Sequence, residues 1–351
     1  MVATGTVRAR LALMTRRVAA VDCGTNSLRL LVADVDLGRA EITDVARRME
    51  IVRLGQGVDK SGRLAPDALD RTIGVIRDYA DIITACSARA VRMVATSATR
   101  DASNAAEFTR RVKEVLGIAP EVLTGAEEAA LSFTGATAEL AATCDGGPFL
   151  VADIGGGSTE FVLGSALPRG DDPPQTPPDL GGASRPPKPP WAASVNIGCV
   201  RMTERHLHDD PPTDRQIATA TADIDAALDV SAGAVPVRQA RTLIGLAGSV
   251  TTVAAIAMGL PAYDAARIHH ARVSAADVHE VTRSLLAQTR AARAAIGVMH
   301  PGRVDVIGGG ALILDRIMQR FGFGEVLVSE HDILDGIAWS LAAQAARDAR
   351  G

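Results

Sequence analysis

Two stretches of the chain share one hydrophobic pattern. Residues 18–21 and 28–34 are apolar runs on either side of the polar turn DCGTNS, which begins at Asp22. Residues 149–153 and 160–163 flank the turn IGGGST in the same way. An apolar run, a small polar turn and a second apolar run predict a β-hairpin with its turn residues at the tip. The two hairpins lie about 130 residues apart, and their repetition predicts a duplicated domain.

The stretches after each hairpin alternate between strand and helix patterns. Residues 42–54 read as a third strand, followed by the Gly-rich turn GQGVDKSGRL. A helix is predicted from Pro66, with Leu69, Ile73, Ile76 and Ile83 at helical spacing. A strand at 91–96, a helix at 105–116 and a strand at 121–123 complete a mixed α/β unit. Two further Gly-rich turns, LIGLAGSVTT at 243–252 and DVIGGGALIL at 305–314, each open into an apolar stretch. That placement puts Gly248 and Ser249 at a helix N-terminus, where unpaired N–H groups favour anions. A short strand and a helix end the chain, with Ile333, Leu334, Ile337, Leu341 and Ala345 on one face.

Two segments stand outside this alternation. Residues 165–192 hold nine of the 17 prolines and little that could form a core, so an extended or disordered insert is expected. Residues 1–14 carry two Arg before a short apolar stretch, too short for a secretory signal. They are read as a disordered extension or a misplaced start, with Met14 the true beginning.

Composition narrows the function. The 351 residues predict about two domains. Aromatics make up only 3%, which argues against a stacking platform for single-stranded nucleic acid. The formal net charge is −4, so a phosphate-bearing substrate would need local positive potential from loop N–H groups, a few Arg and a metal. Cys23, Cys86, Cys144 and Cys199 form no CxxC pair and are read as reduced thiols of a cytoplasmic protein. No apolar run approaches a membrane span. The His206/His208 and His269/His270 pairs lack Cys or acidic partners at ligand spacing and are read as surface or cap residues.

The hairpin tips carry the candidate chemistry. Asp22, Gly24, Thr25, Asn26 and Ser27 in the first tip suit the close approach of a phosphate oxygen, although a plain hairpin turn explains them equally well. The second tip is more specific. Asp153 and Glu160 flank Gly155, Gly156, Gly157, Ser158 and Thr159. A hairpin brings two such carboxylates to one rim, where they can share a hard divalent cation. Three consecutive glycines are costly for a strand, so a purely structural role is the weaker reading. GAEEA places Glu127 and Glu128 on the first turn of a helix. Adjacent helical positions diverge by about 100°, so only one of them can face a given cleft, there to orient or deprotonate a water.

In order, VAAVDCGTNSLRLLVAD, VATSATRD, TGAEEA, VADIGGGSTEFVL, NIGCVRMTE, LAGSVTT, HPGRVDVIGGGALI and SEHDILDGI resemble the exopolyphosphatase / guanosine pentaphosphate phosphohydrolase (Ppx/GppA) family. The resemblance runs from about Arg17 to about Ala343, outside the proline-rich insert. It implies an α/β fold of two actin-like (ribonuclease H-like) domains with a cleft between them. Domain I would span 15–127 plus a C-terminal helix at about 332–351, crossing back to it, and domain II 128–331. The implied activity is release of terminal phosphate from inorganic polyphosphate, or conversion of pppGpp to ppGpp, with Mg²⁺ or Mn²⁺. By position, the catalytic glutamate falls on Glu127, the metal carboxylates on Asp153 and Glu160, and the strand-end arginine on Arg100, a charge suited to a transferring phosphoryl group. Gly155–Thr159 match the phosphate loop, and Asp22, Asn26 and Ser27 the opposing one. Longer members carry further C-terminal helical domains, and this chain stops after the second actin-like one.

Two other functions fit the same residues. An ATP-dependent kinase or ATPase would use LAGSVTT and VIGGGA to hold adenosine, but GAEEA suits a water nucleophile. A non-catalytic sensor of guanosine penta- or tetraphosphate would keep the fold and lose turnover, yet the whole set of site residues is present. Nucleic acid and membrane are not expected partners, and a homodimer is compatible with the sequence.

Overall fold

The computed structural model describes residues 15–39, 41–138, 140, 147–165 and 191–348. The expectations for 1–14 and for nearly all of the proline-rich insert lie outside the described residues.

The first sheet contains β1 (Thr15–Cys23), β2 (Ser27–Asp36), β3 (Glu41–Ile51), β4 (Ala90–Ala95) and β5 (Glu121–Val122), in the order β3-β2-β1-β4-β5. The second contains β6 (Phe149–Ile154), β7 (Thr159–Gly164), β8 (Trp191–Val195), β9 (Thr242–Leu246), β10 (Arg272–Ser274) and β11 (Glu325–Val328), in the order β10-β11-β9-β6-β7-β8. Read from its other edge, the second sheet repeats the first and adds β10. In both, the hairpin pairs are antiparallel and the pairs β1–β4, β4–β5, β6–β9 and β9–β11 are parallel. The fold is α/β, two actin-like units with a cleft between them.

The longer helices, and one short one that matters to the cleft, are α1 (Pro66–Ala85), α2 (Ser97–Asp101), α3 (Ala105–Leu116), α4 (Gly125–Thr137), α5 (Cys199–His206), α6 (Asp214–Ala234), α7 (Ala247–Ala257), α8 (Ala275–Ala287), α9 (Ile307–Phe321) and α10 (Ile333–Asp348). Pro66 starts α1 at its first position, where its missing N–H costs nothing. Thr124 and Glu127 cap α4 reciprocally. Gly308–Gly310, expected in a turn, lie instead inside the first turn of α9. Small residues are needed there because a Cβ on Gly310 would sit 2.2 Å from Ser249 Oγ. Among the described residues no helix is long and apolar enough to cross a membrane.

The period of two along the strands sorts side chains between the faces. Ala19, Val21, Cys23, Leu28, Leu30 and Val32 join the core formed with α1 and α3, including Ile73, Ile76 and Phe108. The alternate residues Val18, Ala20, Leu31, Ala33 and Val35 meet Ile333, Leu334, Ile337, Ala338 and Ala342 of α10. On the second sheet, Leu150, Ala152, Ile154 and Phe161 face α6 to α9, while Phe149, Val151 and Val162 meet Ala129 and Ala136 of α4. Each fully buried aliphatic side chain contributes about 1.5–3 kcal/mol.

The helices thereby cross over. The helix that follows the last strand of the first sheet covers the second sheet, and the last helix of the chain covers the first. The two touch backbone to backbone: a Cβ on Gly135 would lie 1.8 Å from Asp332 O, and one on Gly336 2.1 Å from Leu131 O. Polar ties fasten α10 to the first sheet, from Arg29 to Asp332, from Arg47 to Asp335 at 2.6 Å and from Arg92 to Ser340 Oγ at 2.7 Å.

Candidate active site

The hairpin tips are built alike. Gly24 N donates to Ser27 O at 2.9 Å, and Gly155 N to Ser158 O at 3.0 Å. The tips meet across the cleft, where a Cβ on Gly156 would come 2.9 Å from Thr25 Cβ and one on Gly157 2.5 Å from Ser97 Oγ. Thr25 Oγ1 and Ser97 Oγ share a hydrogen bond of 2.8 Å. Beneath them lies a cavity of about 90 Å³.

Of the residues expected at the site, Asp22, Gly24, Thr25, Asn26, Ser27, Asp153, Gly155, Gly156, Ser158, Gly248 and Ser249 line this cavity. Others do not. Gly157 is spent on the contact between tips. Thr159 is buried and donates to Ile197 O at 2.6 Å. Glu160 lies off the wall beside Asp153, accepting from Ser194 Oγ at 2.7 Å. Arg100, expected on the phosphoryl group, is also off the wall. Its Nη1 donates to Leu123 O at 2.9 Å and to Glu128 Oε2 at 3.1 Å.

Glu127, expected to be the catalytic glutamate, and its neighbour Glu128 take different places. Glu127 is the N3 residue of the α4 capping box, and its Oε2 accepts from Thr124 N at 2.9 Å and Thr124 Oγ1 at 2.7 Å. That contact turns Glu127 toward the helix start. One residue further round, Glu128 is buried and lines the cavity with Asp22 and Asp153.

The sequence reading also missed Arg29 and Arg303, the two cations on the wall among the described residues. Arg29 grips Asp22 through Nε at 3.0 Å and Nη2 at 2.7 Å, and also pairs with Asp332. Arg303 lies over Gly248, where a Cβ would come 2.4 Å from its guanidinium carbon. It donates to Thr252 Oγ1 at 3.1 Å, and among the described residues no carboxylate oxygen lies within salt-bridge reach of it. Arg29 had a readable signal, being opposite Asp22 in the hairpin. Arg303 reaches the cavity only through tertiary packing.

The carboxylates are strained electrostatically. Burial, then repulsion from Asp332, pushes Asp153 up to about 6, and burial with repulsion from Asp153 pushes Glu160 up to about 7. Burial and the neighbouring Glu160 raise Glu128 well above the usual range, against the pull of Arg100. Asp22 is raised by burial despite Arg29, and its Oδ1 has no hydrogen-bond partner among the described residues. Such a set favours either protons or a cation. Among the described residues no three His, Cys, Asp or Glu side chains form a ready metal cage. One or two carboxylates completed by substrate phosphates is the usual holding of Mg²⁺, and the residues present fit that mode.

Known proteins resemble this chain along most of its length. It is 49% identical over 337 residues to exopolyphosphatase 2 of Mycobacterium tuberculosis, covering 93% of this chain and 98% of the relative. It is 30% identical over 324 residues to a bifunctional 3-dehydroquinate synthase/phosphatase of Fusobacterium nucleatum, covering 91% of this chain and 45% of the relative. The crystal structure of an exopolyphosphatase-like protein superposes with a TM-score of 0.84 at 41% identity, covering 93% of this chain and 99% of the other. The Aquifex aeolicus Ppx/GppA member superposes with a TM-score of 0.72 at 25% identity, covering 95% and 99%. The pattern that defines the Ppx/GppA phosphatase family matches residues 31–345, and the chain belongs to that family.

Proposed function

We propose that this protein is a cytoplasmic exopolyphosphatase that releases terminal phosphate from inorganic polyphosphate. The observation that carries the reading is Glu128, a buried carboxylate on the wall of a small cavity, held by Arg100 and facing two phosphate-loop tips. Glu128 in its ionised form accepts a hydrogen bond from the attacking water and takes its proton. Arg100 fixes the direction of that carboxylate. The glycines and hydroxyls of the two tips cradle the terminal phosphoryl group, whose geometry must be in line with the water. Arg303 and Arg29 supply local positive charge in a chain of net charge −4.

Asp153, backed by Glu160, would hold a divalent cation together with substrate phosphate oxygens. That cation supplies neutralisation of the charge on the transferring and leaving phosphates.

The size of the cavity favours an unadorned phosphate terminus. About 90 Å³ is well below the roughly 300 Å³ at which pockets enclose drug-sized ligands. The two helix starts that a kinase would use for adenosine press on each other, with Ser249 against Gly310. Phosphate release should therefore be measured on polyphosphates of graded length and on pppGpp, with and without Mg²⁺, for the native protein and for Glu128→Gln. Turnover of polyphosphate that requires Glu128 is expected. Activity confined to pppGpp would redirect the substrate, and no release from either would favour a sensor.

A further inference from the structure

Two motifs, GQGVDKSGRL and NIGCVRMTE, have no part in the chemistry above, and the structure brings them together at the mouth of the cleft. α5 starts directly behind the second tip, with Cys199 N bonded to Gly155 O at 3.0 Å and Val200 N to Gly156 O at 2.9 Å. Arg201, Glu204 and Arg205, at i, i+3 and i+4, share one face of this helix. That face meets the other half of the molecule. Glu204 accepts from Gly57 N at 3.1 Å, and Arg205 Nε reaches Asp59 at 2.6 Å.

Arg201 makes the most connected contact. Its Nε donates to Gly157 O in the second tip at 2.6 Å, while Nη1 and Nη2 reach Asp59 and Asp101 at 2.5 Å each. An exposed ion pair would contribute little, but the Arg201 side chain is only 11% exposed, and its fixed fork suits several acceptors at once. Asp101 ends α2, next to Arg100, which holds Glu128. Ser97, at the other end of the same short helix, bonds Thr25 in the first tip.

We propose that the Arg201–Asp101 contact is a positioning device that couples closure of the two halves to the aim of the Glu128 carboxylate. The second half, closing, grips α2 through Asp101. That grip sets the adjacent Arg100, and Arg100 orients Glu128. Arg201 and Asp101 touch no substrate; they act through Arg100. This inference rests on Glu128 being the group that handles the water.

The test is a double-mutant cycle on phosphate release from polyphosphate with Mg²⁺. Asp101→Asn is introduced into the native protein and into Arg100→Gln, and kcat, KM and Tm are measured for each. In the native background Asp101→Asn should lower kcat about 10-fold, with KM and Tm little changed. In the Arg100→Gln background the same change should cost less than about 2-fold, because coupled residues are not additive. Arg201→Lys, which keeps the charge without the fork, should retain part of the rate lost in Arg201→Gln. Equal losses in both backgrounds, a loss confined to KM, or a loss that follows Tm would overturn the coupling. Full activity of Glu128→Gln would overturn the underlying reading as well, whereas an inactive Glu128→Gln with a multiplicative cycle would sink this inference alone.

Discussion

The two hairpins have one backbone and opposite electrostatics. In β1–β2 the register sets Asp22 opposite Arg29, and in β6–β7 the equivalent pair is Asp153 opposite Glu160. Residues directly opposite in an antiparallel pair are near neighbours, so the first pair attracts and the second repels. The first tip is neutralised from within and tied to α10 through Asp332. The second is left with two buried carboxylates, pushed up to about 6 and 7 despite the pull of Arg29 on Asp153 and of Arg100 on Glu160, and among the described residues neither is in a salt bridge with a cation. The first hairpin thus serves as an anchor, and the second is the seat proposed above for an external cation.

The widest test of that contrast is removal of divalent metal. With excess chelator, phosphate release should fall to background while the fold persists, because the first half does not depend on metal. Asp153→Asn should raise the Mg²⁺ concentration for half-maximal rate by about an order of magnitude or more. Undiminished turnover in chelator would remove the cation from the second hairpin.

Next in size is the choice between the paired glutamates. Glu128→Gln should lower kcat by about 10²–10⁴-fold, the usual worth of a general base. Glu127→Gln should change kcat only a few-fold, and Glu127→Ala should cost about 1 kcal/mol of stability through the lost cap. Equal kinetic losses for the two Gln variants would contradict their placement.

The crossover of helices predicts that the halves do not melt apart. Gly336→Ala would drive a Cβ to 2.1 Å from Leu131 O, and rigid backbone cannot yield as a side chain would. A loss of about 3 kcal/mol is expected, seen in calorimetry as one transition moved downward. Two separated transitions would show that each half is stable without the exchange.

Much of this was legible in sequence, and what was not has identifiable causes. Both hairpins, the helix from Pro66 and the helix at 105–116 follow from local pattern, with the hairpin strand edges shifted by up to three residues. α6, Asp214–Ala234, was passed over because its Ala- and Thr-rich face gives a weak apolar stripe, although Thr213 and Gln216 carry a capping box. A similar signal was present for the glutamates: T-x-x-E at Thr124–Glu127 marks Glu127 as a cap and leaves Glu128 for the cleft. Arg29 could have been found by counting back from the first tip, since the turn fixes the register. Arg303 and Asp332 could not. They come from positions some 300 residues along the chain, and only assembly of the second half on the first brings Arg303 to the cavity and Asp332 to Arg29.

The smallest expected effect concerns pH and isolates the repelling pair. Glu160 rises from the usual 4.5 to about 7 on folding, so the folded protein binds a proton more tightly than the unfolded chain. For such a group the stabilisation is fully present below the unfolded value and is lost as pH rises through the folded one. Without divalent cation, stability at pH 8 should therefore be lower than at pH 5 by a contribution from Glu160 on the order of 2 kcal/mol, since one pKa unit corresponds to about 1.4 kcal/mol. Glu160→Gln removes the titrating group and should flatten that decline, raising the metal-free Tm at pH 8 relative to the native protein. Saturating Mg²⁺ should do the same for the native protein by stabilising the ionised carboxylates, and should do less for the variant. A decline between pH 5 and 8 that is equally steep in both proteins would mean that Glu160 is not held in the repulsive field the register implies.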